Sequence, residues 1–227
     1  MIKDVIVVEN KNLVILDEIL LSSDVVDNFY NAYNNNEGFK EWLDSNIPDI
    51  KKCEEREQNN PWHIYNVLGH ILHSVESMNK MTSNLNDKDK RLLAYTMFFH
   101  DIGKPDTCVF RKNKDTFYGH NKRSCEIIKP LLPELGFTAQ ECKQILALVY
   151  QHDAFIQVGN GQIKLDDKFI NKYIECFNNC GDGEKLMNYL VMVARSDNLA
   201  QNPEMTPGAL EVLDKTQSLL NKRNNKR

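Results

Sequence analysis

Apolar residues at helical spacing, repeatedly interrupted or ended by one ionisable side chain, constrain this chain more than any other feature. Val67, Leu68, Ile71, Leu72, Val75 and Met78 fall three and four apart, as on one face of a helix, yet His70 stands among them. Leu92, Leu93, Thr96, Met97 and Phe99 repeat the stripe up to His100 and Asp101, after which Gly103 and Pro105 stop the helix. ILALVYQ runs into His152, and LVMVAR leads to Asp197. Burying an ionisable group is costly unless it is paired or bound to a metal. One such residue is an ordinary core or capping group. Five of them on four separate apolar segments point to a shared site, and imidazole with carboxylate suits a divalent transition metal.

The remaining periodicity completes an all-α reading. A helix is expected over His120 to Ile128, ended by Pro130, and another from Thr138, where Glu141 completes a capping box, to about Tyr150. Leu186, Leu190, Val193 and Ala194 mark a helix reaching Asp197, and an amphipathic one follows Pro207 as far as the basic NKRNNKR. Strand signals are few: VIVVE with LVIL reads as a small hairpin, and VFRKNKDTFYG as a second one around Asn113. No G-x-G-x-x-G or P-loop occurs, so a nucleotide-binding α/β fold has no fingerprint here. The boundaries expected are a mostly helical N-terminal extension over 1–57, a core over 58–205, and a C-terminal helix with basic tail over 206–227.

Charge narrows the partners. With a formal net charge of −4, the chain lacks the cation excess of a broad duplex-binding surface, but a few local cations suffice for a small phosphorylated ligand. The six cysteines form no C-x-x-C pair, which reads as reduced thiols in a cytoplasmic protein. The first segment, MIKDVIVVENKNLVILDEILL, is broken by Asp4, Glu9 and Asn10 and fits neither a signal peptide nor a membrane span.

HDIGKP, at His100 to Pro105, resembles the signature of the HD-superfamily phosphohydrolases. NVLGHILHSVE resembles the segment bearing that family's first histidine, at His70, and ARSDNLAQNP the segment bearing its last aspartate, at Asp197. FYGHNKRS is similar to the F-x-G-H-E-x-x-S/G stretch in the HD domain of bacterial tRNA nucleotidyltransferases. The order of these elements covers roughly residues 58 to 205. A G-Y-P motif of cyclic-di-GMP phosphodiesterases is absent, and Ile102-Gly103-Lys104-Pro105 replaces the acidic pair of stringent-response hydrolases. The resemblance implies an HD-type helical bundle and phosphomonoesterase or 2′,3′-cyclic phosphodiesterase activity on nucleotides or RNA termini. A regulatory HD module that binds a nucleotide without turnover is the alternative.

The chemistry follows residue by residue. His70, His100, Asp101 and Asp197 supply two imidazoles and two carboxylates, leaving positions for water and substrate on one divalent ion (Mn, Fe, Ni, Co or Mg). Asp101 has a second oxygen to bridge to another metal, for which His120 and His152 are the available imidazoles. His120 is alternatively an unligated proton donor to the leaving oxygen. Lys104, after the turn at Gly103, is a candidate to offset phosphate charge, and Lys122, Arg123 and Arg195 flank His120 and Asp197 as further phosphate contacts. His63 reads as a cap or substrate contact and His73 has no equivalent role, so neither is counted as a ligand. Trp62, Phe117 and Tyr118 are available for base stacking, although aromatic side chains beside turns usually pack.

Overall fold

The computed structural model describes residues 10–224, and short polar residues set where its helices begin. α1 (Lys11–Leu20), α2 (Val25–Asn35), α3 (Glu37–Asn46) and α4 (Asp49–Glu54) precede α5 (Val67–Met81) and α6 (Asp87–Phe99). The single turn α7 (Lys104–Thr107) leads into β1 (Val109–Arg111) and β2 (Lys114–Thr116), followed by α8 (His120–Ile128), α9 (Leu131–Glu134) and α10 (Ala139–Gln151). A 3-10 turn, His152–Phe155, continues into α11 (Ile156–Gly159), and α12 (Asp167–Asn178), α13 (Gly183–Leu199) and α14 (Pro207–Asn224) complete the chain.

Four asparagines mark helix starts. Asn10, Asn36, Asn66 and Asn86 each accept a backbone amide two or three residues on, satisfying a donor that the first turn leaves open. Thr138 and Glu141 form the full reciprocal capping box at the start of α10.

α5, α6 and α13 pack together at the centre, with α10 against α6 and α13, and α12 covering α13. The side chains of Leu68, Ile71, Leu72, Phe98, Phe99 and Leu190 are fully buried there. Each such side chain contributes roughly 1.5–3 kcal/mol by leaving water. That burial fixes the rotation of α5 and α6, and with it the direction of His70 and His100. The first four helices share this core: Leu16, Phe29, Phe39 and Leu43 are buried, α1 rests on α6, and α2 and α4 rest on α5.

Two sequence expectations change. LVIL lies within α1 and not in a strand, because Asn10 caps a helix whose Leu16, Ile19 and Leu20 reach the core at helical spacing. Its hairpin partner, VIVVE, lies outside the described residues. The second hairpin forms around Asn113, with Lys112 (φ 50°) and Asn113 (φ 59°) both left-handed, as a tight antiparallel turn requires. α12 was not anticipated, although Phe169, Ile170, Tyr173, Ile174 and Phe177 line its buried face. Among the described residues, no helix is long and apolar enough to cross a membrane.

Candidate metal centre

Five elements deliver ionisable side chains to one buried point. His70 sits in the first turn of α5, His100 caps the C-terminus of α6 and Asp101 follows it. His120 opens α8, His152 closes α10, and Asp197 lies in the last turn of α13. All six are buried.

Their register depends on Gly103 and Ser124. A Cβ on Gly103 would stand 2.6 Å from the His120 carbonyl oxygen and 2.5 Å from the Ser124 amide nitrogen. Only glycine lets the turn after Asp101 approach α8 this closely. Ser124 then fastens the two segments: its hydroxyl donates to the His100 carbonyl at 2.9 Å and accepts the Gly103 amide at 2.9 Å. Gly119, with φ 83°, makes the left-handed entry into α8.

Every histidine of the group presents the same nitrogen. His100 Nδ1 donates to the Met97 carbonyl at 2.6 Å, His120 Nδ1 to Phe117 at 2.7 Å, and His152 Nδ1 to Val149 at 2.7 Å. His70 Nδ1 donates to Ala200, 130 residues away, at 3.2 Å. Anchored on that side, each ring turns its Nε2 into the cluster, the arrangement that orients a metal-ligating imidazole.

The donor atoms form two groups joined by one carboxylate. His70 Nε2 lies 3.0 Å from Asp197 Oδ1, 3.1 Å from Asp101 Oδ2 and 3.2 Å from His100 Nε2. On the other side, Asp101 Oδ1 lies 3.2 Å from His120 Nε2 and 3.6 Å from His152 Nε2, which are 3.0 Å from each other. Neighbouring donors on an octahedral ion with bonds of about 2.1 Å stand about 3.0 Å apart, so the first group has the spacing of a coordination shell. Asp101 Oδ1 is buried and accepts no hydrogen bond. A buried acceptor without a donor, facing two imidazole nitrogens, fits a cation.

The electrostatics agree. Burial alone would lower the His100 pKa, but Asp101 and Asp197 outweigh it and push it up to about 10. Burial would raise Asp101 and Asp197, yet the imidazoles, and for Asp101 also Lys104, hold both well below the usual carboxylate range. The cavity is therefore arranged to hold positive charge between its carboxylates, which a divalent ion supplies without protonating a ligand.

Lys104 is buried at 5% exposure, with its ammonium 2.6 Å from Asp101 Oδ2. Gln58 Oε1 accepts from it at 2.9 Å and His63 Nε2 at 3.1 Å, while His63 Nδ1 donates to Asn60 at 2.8 Å. Burial, and then Lys104, push the His63 pKa down to about 2, so His63 stays a neutral acceptor. The other candidate cations are engaged elsewhere. Arg123 pairs with Asp106 at 2.8 Å, Arg195 with Asp214 at 2.6 Å, and Lys122 faces Glu126 at 3.9 Å. None of the three bonds a member of the cluster among the described residues. His73 stacks on Tyr65 outside the cluster, with ring centroids 4.2 Å apart.

Sequence reasoning passed over Asp153, whose carboxylate lies 3.4 Å from His120 Nε2 and 3.5 Å from His152 Nε2 at the half-open edge of the second group. Its adjacency to His152 was the available signal. It also passed over Gln58, which nothing in the local pattern distinguishes, and Gln201, which donates to Asp197 Oδ1 at 3.0 Å from just past the end of α13.

Comparison with known families gives one match: the family model described as HD domain aligns with residues 67–200, more than half of the chain and all six buried histidines and aspartates of the cluster. No curated protein matches the sequence.

Proposed function

Because this chain belongs to the HD-domain family, a largely metal-dependent hydrolase family, we propose that it is a phosphohydrolase acting on nucleotides or RNA termini, as a phosphomonoesterase or 2′,3′-cyclic phosphodiesterase. The observation that carries this reading is the division of Asp101, one oxygen facing His70 and His100, the other facing His120 and His152. His70, His100, Asp101 and Asp197 would hold one divalent ion, and Asp101, His120 and His152 a second, with Asp153 beside it.

When bound, such ions polarise a phosphoryl oxygen and lower the pKa of water towards about 7, making a nucleophile available at neutral pH. The side chains do the rest. Backbone carbonyls hold the four Nδ1 protons, so the Nε2 lone pairs stay aimed inward with no reorganisation during reaction. Lys104, already fixed by Gln58 and His63, offers a preoriented ammonium to the charge that develops on phosphate oxygens. Arg123 and Arg195 reach a phosphate only by giving up Asp106 and Asp214. The low-exposure setting strengthens each of these interactions relative to water.

Elemental analysis of the purified protein, together with hydrolysis assays, tests the proposal. Nucleoside monophosphates, 2′,3′-cyclic nucleotides and p-nitrophenyl phosphate are supplied in turn with Mn²⁺, Ni²⁺, Co²⁺ or Fe²⁺. Turnover of at least one phosphate ester, abolished by chelation, is expected. Metal-loaded protein that hydrolyses none of them would instead be a nucleotide-binding regulatory module.

A further inference from the structure

The hairpin β1–β2 is inserted between the two halves of the metal cluster, after Lys104 and before His120. It is docked and not free-standing. Asn59 donates its amide and its side-chain nitrogen to Asp115 Oδ2, both at 2.9 Å, and accepts the Asp115 amide at 2.9 Å. Those bonds tie the hairpin to the loop that carries Gln58 and His63.

One face of the hairpin is cationic. Arg111 and Lys114 are directly opposite in the register, so their side chains project on the same side. The neighbouring Asp115 carboxylate is occupied by Asn59, and neither cation forms an ion pair among the described residues. Lys114 Nζ lies 4.8 Å from the ring centroid of Trp62, an indole left 39% exposed. Trp62 adjoins His63, whose Nε2 is 3.1 Å from Lys104 Nζ, itself 2.6 Å from Asp101. A series of neighbours therefore runs from the exposed Arg111 and half-buried Lys114, over the partly exposed Trp62 indole, through the adjacent His63 to the buried metal cluster.

We propose that this track binds the penultimate nucleotides of a short single strand whose terminal phosphate lies at the cluster, so that the substrate class is a phosphate-terminated oligonucleotide and not a free mononucleotide. The inference rests on the phosphohydrolase reading for what happens at the terminal phosphate, but the track's binding can be measured separately. Two paired cations beside a partly exposed indole match a strand that carries both phosphates and stackable bases. The track is narrow, consistent with a chain of net charge −4 that lacks a duplex-binding surface.

The probes are fluorescein-labelled single-stranded hexanucleotides with a 3′-phosphate, a 5′-phosphate or no terminal phosphate, compared with a labelled mononucleotide on the full chain in Mn²⁺. Fluorescence anisotropy is expected to show at least one phosphate-terminated hexanucleotide binding ten-fold or more tighter than the mononucleotide, and the 3′ and 5′ arms identify which end is taken. Trp62→Ala weakens that binding about 5- to 100-fold, as expected when a stacking platform is lost, and Trp62→Phe restores part of it. Arg111→Ala and Lys114→Ala each reduce the slope of log affinity against log salt by about 0.7, the signature of one lost phosphate contact on a single strand. In hydrolysis, the ratio of kcat/KM for the hexanucleotide over p-nitrophenyl phosphate falls ten-fold or more in the Arg111/Lys114 double variant.

A hexanucleotide that binds no tighter than the mononucleotide, or variants with unaltered affinity and salt slope, would overturn the track while leaving hydrolysis of aryl phosphate to support the phosphohydrolase reading. Tight binding lost in these variants, with no turnover of any ester, would support the track and overturn that reading.

Discussion

Asp101 Oδ1 lies 3.2 Å from His120 Nε2, while His120 Nδ1 lies 2.7 Å from the Phe117 carbonyl oxygen. This contact separates two roles for His120, second-metal ligand and proton donor to the leaving oxygen. A ring anchored through Nδ1, with Nε2 facing a buried carboxylate oxygen, favours the ligand.

His120→Ala is accordingly expected to lower the metal content by one ion per chain while the other ion is retained. Asp101→Ala, which removes both carboxylate oxygens, is expected to abolish metal binding and hydrolysis altogether with the helical content intact. Elemental analysis and circular dichroism check both variants. Unchanged metal content in His120→Ala, with substrates bearing good leaving groups least affected, would make His120 the general acid.

Gly103→Ala should be among the most damaging single-methyl changes in the protein. The added carbon meets the backbone of α8 at 2.5–2.6 Å, so α8 has to move away from the turn carrying Asp101. A loss of about 1–3 kcal/mol is expected for this overpacking. A displaced His120 is expected to reduce kcat about 100-fold, in proportion to what small misplacements cost in preorganised sites. Thermal denaturation and steady-state kinetics measure the two effects separately.

Lys104→Met keeps the length of the side chain and removes its charge. The expected result is a 10²- to 10³-fold fall in kcat/KM, the range typical of losing one preorganised charge-stabilising donor. Metal content is expected to be retained. Lys104→Arg is expected not to rescue activity, because Asp101, Gln58 and His63 surround a compact ammonium and leave no planar site for a guanidinium.

Asp89, far from the cluster in the first turn of α6, controls part of the acid stability. Burial pushes its pKa up, but hydrogen bonds from Lys185, Tyr189 and Asn86 outweigh this and hold it below the ordinary value. A depressed folded-state pKa means that the stabilisation is present above the unfolded value, about 3.9, and is lost as pH falls through the folded one. Asp89→Asn is therefore expected to lower Tm by about 2–4 °C at pH 7. The difference from the parent protein should shrink below pH 4. Denaturation midpoints at pH 7, 5, 4 and 3 give the comparison, and a constant offset across that range would contradict it.

Much of the fold was legible because its determinants are local. The stripe from Val67 to Met78, the Thr138–Glu141 capping box and the hairpin turn at Asn113 each depend on residues within a few positions of one another. LVIL misled because its short apolar run has no period of its own. The capping asparagine before it and the spacing to Ile19 and Leu20 decide in favour of helix.

For the candidate site, the sequence by itself determined which ionisable side chains stand among apolar neighbours, since helical register follows from nearest-neighbour hydrogen bonds and side-chain spacing. Only the tertiary structure decided how they meet. It set which oxygen of Asp101 faces which imidazoles, that Lys104 lies buried between Asp101, Gln58 and His63, that Arg123 and Arg195 pair with Asp106 and Asp214, and that Asp153 stands beside His120. The physical reason is range. A bond such as that from His70 to the Ala200 carbonyl joins residues 130 apart, and it exists only because the packing of α5 against α13 brings the imidazole within 3.2 Å of that carbonyl.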